Sequence, residues 1–267
     1  MKAYWSFFKI RFINGLQYRA AAYAGVATQL AWGFMYIMLY HSFYLSNPSA
    51  VPMSISKLSS YIWLQQSFLA LFMTWFLDND IFELISSGNV AYEMCRPLDI
   101  YNMWFIKSLA IRFSKTLLRC FPILIIASLL PGTYKFSGPP SLSAFVLFLI
   151  SMILGSIVVI SYCMLIYIFT FYTVSPMGIR MVMTMIADFF SGGLVPLPLL
   201  PDWLTKYIYY SPFGAMQNTP FRIYIGDVSI NEAVISILLQ GFWAIVLIVI
   251  GKFIMSKAIK KVFVQGG

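Results

Sequence analysis

Charge is what this chain has least of. Only 10% of its 267 residues are Asp, Glu, Lys or Arg, against 60% hydrophobic residues and a mean hydropathy of +0.81. A soluble domain carries about a quarter charged residues, so that class is excluded. Histidine is nearly absent: His41 stands alone, which argues against a histidine-based metal site within one chain. The three cysteines, Cys95, Cys120 and Cys163, form no C-x-x-C pair and fall in or beside apolar segments, where they read as small hydrophobes. Enzyme signatures are missing too. There is no G-x-x-x-x-G-K-[ST], no G-x-S-x-G and no H-E-x-x-H. A cleaved signal peptide is not expected, because Lys9, Arg11 and Arg19 interrupt the apolar core it needs.

What remains is a single polytopic, all-α membrane domain over residues 1–267, too short to append a catalytic domain of ordinary size. Residues 1–19 mix Trp5, Phe7, Phe8 and Phe12 with Lys2, Lys9, Arg11 and Arg19, which predicts an interfacial helix. Six spans follow: Ala20 to Phe43, Ser60 to Leu77, Tyr101 to Leu130, Leu142 to Thr173, Gly178 to about Gly192-Gly193, and Ile230 to Met255. A polar loop around Asn47-Pro48-Ser49 joins the first two. The formal charge of +9 does not point to nucleic acid, because Lys and Arg gather at span ends as topology determinants do. With both termini inside, the outside receives only Lys57, Lys135, Lys206 and Arg222 of the 18 basic residues. Both ends, and the loop between the second and third spans, are therefore placed in the cytoplasm.

That loop, residues 78–99, concentrates the acidic residues: Asp78, Asp80, Glu83, Glu93 and Asp99. Asp80 can cap a helix, with Glu83 three residues on as capping-box partner and Gly88 as the left-handed stop. Phe82 and Ile85 then share one side of about two turns of helix. Arg96 is extended by Pro97, and Asp99 can cap the helix that follows. A short capped helix in a polar loop between spans has the shape of a docking element; the alternative is a solvated connector.

Charge inside the spans is the other signal. Lys107, Arg112, Lys115 and Arg119 fall within an arc of about 140° along roughly 18 Å of the third span. They either snorkel from a helix that begins in the cytoplasm or form a basic lining of a translocation path. Asp188 is the acid in a span interior, suited to pairing with one of those cations or to proton coupling. Met177, Met181, Met183 and Met185 offer a pliable apolar surface or plain packing. From Phe190 onward Gly192, Gly193, Pro196, Pro201, Pro212 and Pro220 cannot continue a regular helix. This predicts a broken fifth span and short outer helices over residues 190–229, with Trp203, Tyr207, Tyr209 and Tyr210 at the interface.

Two patterns together resemble the ABC-2 permease family of ATP-binding-cassette exporters. One is Gly88-Asn-Val-Ala-Tyr-Glu-Met-Cys-Arg96-Pro97-Leu98; the other is Ser191-Gly-Gly-Leu-Val-Pro196 with Pro201, Pro212-Phe213, Pro220 and Ile223-x-x-Gly226. The resemblance implies a coupling helix at about Ile81 to Ser87, flanked by Tyr92, Glu93, Arg96 and Pro97 and seated on a separate ATPase. It also implies re-entrant outer helices that close the pathway. ATP and Mg would bind to that ATPase, with no cofactor on this chain. The implied partners are two ABC ATPase subunits, a second permease chain and the bilayer of the cell membrane, with no nucleic acid. Residues and resemblance together are read as ATP-driven export of a drug, lipid, peptide or glycan precursor; the resemblance itself identifies no substrate. The alternatives are an ion- or proton-coupled carrier centred on Asp188 and a non-transporting scaffold.

Overall fold

A computed structural model describes residues 2–46, 53–173 and 175–261, and the expected loop at Asn47-Pro48-Ser49 lies outside them. The fold centres on the helix with the longest apolar run. From Val158 to Ile168 nearly every side chain of α8 (Leu142–Thr170) is buried, whichever way it points. A helix apolar on all sides can bury itself only by taking neighbours all round. It does so, packing against α12 (Ile230–Ala258), α11 (Asn218–Tyr224), α7 (Ile100–Leu129) and α9 (Pro176–Phe190). Gln240 of α12 fixes the register: it accepts from the Ser151 hydroxyl at 2.8 Å and donates to the carbonyls of Ser151 and Ala215 at 3.2 and 2.9 Å. Helix α12 opens on a capping box between Ser229 and Glu232.

The remaining long helices are α2 (Arg19–Ser46) and α7. Glycine lets α2 close on its neighbour: a Cβ at Gly33 would collide with the ring of Trp63, on α3 (Ile55–Ser67). Trp63 is fully buried and donates to the Tyr134 carbonyl at 2.7 Å. Helix α7 starts where expected, with the Asp99 carboxylate accepting from the Asn102 amide at 2.8 Å. The N-terminal helix α1 (Lys2–Leu16) stacks Trp5, Phe8 and Phe12 at 5.5 and 5.7 Å. It lies along the first half of α7. The Asp99 amide donates to the Tyr4 hydroxyl at 3.1 Å at one end, and Gly15 meets Ser114 at the other.

Among the described residues, α2, α8 and α12 are long and apolar enough to cross a membrane. The other expected spans differ from a plain crossing. Helix α7 has 30 residues, about 45 Å at 1.5 Å per residue, but carries the basic cluster. The second expected span breaks into α3 and the single turn α4 (Leu69–Phe72), after which the chain unwinds. The fifth is α9, whose 15 residues make about 22 Å, less than the ~30 Å of hydrocarbon.

Candidate coupling surface and polar cavity

Unwinding after Phe72 leaves carbonyls with no helical partner, and a buried cation collects them. Arg112, wholly inaccessible, donates to the carbonyls of Leu71, Met73 and Phe76 at 3.1, 2.8 and 2.8 Å and to the Cys163 sulfur at 3.3 Å. Its fork geometry suits several acceptors in one plane, and only Nε lacks a partner. Other helices hold the same strap, residues 73–78. Thr74 donates to the Asp188 carboxylate at 2.6 Å, the Asp78 amide donates to the Tyr167 hydroxyl at 2.6 Å, and Arg180 reaches the Trp75 carbonyl at 3.5 Å.

The strap ends in the loop that stood out in the sequence. Helix α5 (Asn79–Ser86) is capped by Asp78, whose carboxylate accepts from the Asp80 amide at 3.0 Å. The expected cap at Asp80 is therefore corrected: the helix starts two residues earlier, so Asp80 lies in its first turn and Glu83 has no box partner. The stop is as read, with Gly88 at φ 75°. A second short helix, α6 (Val90–Met94), follows. Phe82 does not face outward as a partner anchor would. It is 6% exposed, 5.0 Å from the Tyr167 ring and 5.5 Å from the Arg180 guanidinium, which also donates to Asn79 at 2.8 Å. Ile85 is half-buried against the same core. The reason is amphipathicity: Ile81 and Phe82 are the most apolar face of α5, and α8 is the nearest place to bury it. What faces outward is Asp80, Glu83, Ser86 and Ser87, then Tyr92 (76% exposed), Met94, Arg96 and Pro97. Glu93 is held from behind by the Trp104 indole at 2.6 Å.

The four basic residues of α7 have different partners. Lys107 forms an ion pair with Asp78 at 2.6 Å and reaches Asp80 at 3.4 Å, tying α7 to the α5 cap. Arg112 serves the strap. Lys115 stands over the Phe76 ring at 3.9 Å, and Arg119 packs on Gly25. Asp188 makes no ion pair with any of them; its partner is Thr74. It lines a cavity of about 290 Å3 together with Trp32, Tyr36, Gln65, Gln66 and Gly193. Gln65 and Gln66, missed in the sequence, are amides inside an apolar span, which is itself the signal that could have found them. Gln65 donates to the carbonyls of Gly192 and Gly193 at 3.2 and 2.7 Å.

Those glycines end α9. Gly192 takes φ 82°, and the amides of Gly193 and Leu194 fold back onto the Asp188 carbonyl at 2.8 and 3.3 Å. Pro196 and Pro201 precede a short 3-10 turn and α10 (Asp202–Tyr210), Pro212 begins a turn, and Pro220 sits inside α11. Trp203, Tyr207 and Tyr210 are exposed, whereas Tyr209 is covered by Arg222 at 4.5 Å. Arg222 in turn pairs with Asp227 at 2.6 Å. Met177, Met181 and Met185 lie on the open face of α9, with Met183 packed inward.

A family model described as ABC-2 family transporter protein matches residues 30–266. The chain belongs to that family. The match takes in the strap, α5 and α6, the cavity around Asp188 and the whole broken segment after Phe190; α1 and the start of α2 precede it. No curated protein matches the chain directly. As an ABC-2 family transporter protein, it is a membrane component of transport and is not itself the catalyst.

Proposed function

We propose that the chain is the six-span permease of an ATP-driven exporter, with α5 and α6 as the surface on which an ABC ATPase sits. The observation that carries this is the strap. Four residues separate Asp78, which caps α5, from Met73, and among them Thr74 holds Asp188 in the cavity. A push on α5 would move a segment with no helical slack, bonded at once to α7, α8 and α9. ATP and Mg would act in the ATPase, and the permease would shift between inward- and outward-facing states. Both termini are cytoplasmic in this reading, in the cell membrane.

A second permease chain, identical or related, belongs to the proposal. Gln66 and Asp188 line a groove open on one side, and polar groups at that depth need a protein or water neighbour. The cargo is a drug, lipid, peptide or glycan precursor. One observation keeps a second reading in play: Asp188 is held by a hydroxyl and no cation, as a proton-coupled carrier would need. Sealed vesicles containing the permease and its ATPase decide between them. Transport that needs ATP and survives collapse of the proton gradient supports the exporter; transport driven by the gradient without ATP overturns it.

A further inference from the structure

Where α1 ends and α2 begins, a cavity of about 280 Å3 opens against the middle of α7. Three cations line it, Arg11, Lys115 and Arg119, with Asn14 and Tyr18 beside them and no carboxylate. Arg119 Nε has no hydrogen-bond partner although it is buried. Its guanidinium lies on Gly25, where a Cβ would stand 2.6 Å from Cζ, so α2 has room for it only because that residue is glycine. Arg11 and Lys115 also border the neighbouring cavity that contains Asp78 and Asp80, but Lys107 already engages both of those acids. Positive charge is thus left over at this site.

Its place in the fold says what would neutralise that charge. Helix α2 is long and apolar enough to cross a membrane and starts at Arg19, so the cavity lies at the level where the chain enters the bilayer. One wall is basic; Ala21, Ile111 and Leu118 make the other apolar. Basic pockets between membrane helices at headgroup level select anionic lipids. We propose that this cavity binds the headgroup of an anionic phospholipid, its phosphate held among Arg11, Lys115 and Arg119 and its acyl chains running along α2 and α7. Such a lipid fastens α1 to the two helices. The site does not depend on the exporter reading, and Arg11, Tyr18 and Gly25 precede the stretch matched by the family.

The test titrates the full-length chain with short-chain phosphatidylglycerol or phosphatidylcholine and counts bound lipid by native mass spectrometry. Saturable one-to-one binding of phosphatidylglycerol, with phosphatidylcholine bound far more weakly, is expected. Arg11→Gln and Arg119→Gln should each weaken binding about fivefold, while Lys206→Gln, on the exposed side of α10, changes nothing. Arg11 is on the surface of α1, so its variant gives a reading even if Arg119→Gln fails to fold. Unaltered binding by Arg11→Gln overturns the site. So does displacement of the lipid by inorganic phosphate at equal concentration, which would mark a free-anion site instead.

Discussion

The ring of Phe82 lies 5.0 Å from that of Tyr167, tilted by 55°, and the Tyr167 hydroxyl accepts the amide of Asp78 at the start of the same helix. Two contacts from one α8 residue therefore seat α5 against the membrane bundle. Truncating a buried aromatic commonly costs about 3–5 kcal/mol. Phe82→Ala should lower the thermal unfolding midpoint of the chain on its own, with no ATPase present. An unchanged midpoint would mean that α5 is not seated as described.

Tyr92 should behave in the opposite way. Its side chain is 76% exposed on the outward surface of α6, so its loss leaves the isolated chain intact. As an aromatic anchor at a partner surface it is worth about 2 kcal/mol or more, roughly thirtyfold in affinity. Pull-down of the ATPase subunit by Tyr92→Ala, compared with Glu83→Ala, reads this out; wild-type retention by Tyr92→Ala removes α6 from the docking surface.

Arg112→Ala strips three carbonyls of their donor, and each unsatisfied buried group costs about 1–3 kcal/mol. Arg112→Lys should rescue little, since one ammonium cannot span the same fork of acceptors. Unfolding in detergent, with the exposed Lys135→Ala as comparison, tests both. Equal stability of all three variants would show that the strap needs no internal cation.

Gln65→Ala should loosen the end of α9 without unfolding the chain. The Gly192 and Gly193 carbonyls lose their side-chain donor, and the turn after Phe190 opens. A cysteine placed at the exposed position Leu194 should then react several times faster with a water-soluble thiol reagent. No change in rate would sever the link between Gln65 and the segment after α9.

Crowding at Gly33 gives a further handle. Even Gly33→Ala drives a methyl into the Trp63 ring, and overpacking of this kind costs about 1–3 kcal/mol. The readout is loss of Trp63 fluorescence character together with a lower unfolding midpoint; a wild-type midpoint would mean that α2 and α3 separate freely.

Much of this architecture was legible because the signals were local. Asp99 caps α7, Gly88 turns left-handed after α5, and Gly192 ends α9, each for a reason contained in a few residues of sequence. The apolar runs of α2, α8 and α12 announce themselves by length and hydropathy. What could not be read was partnership at long range. That Arg112 serves carbonyls some forty residues earlier depends on the chain unwinding after Phe72, and Met73-Thr-Trp-Phe-Leu77 has nothing in its side chains that forbids helix. The direction of Phe82 was likewise ambiguous: an apolar residue on a short loop helix suits a partner groove or the chain's own core equally well, until α8 is brought beside it.

The amide of Gln240 bears on the order in which the chain is made. The Ala215 carbonyl and the Ser151 hydroxyl are synthesised first, and both wait for a partner that arrives with the last helix. A nascent chain stopped before α12 therefore holds a loop carbonyl and a serine hydroxyl without the glutamine that they meet in the finished fold. The last helix thus brings the one side chain that meets both groups, and its register against α8 is set where they meet.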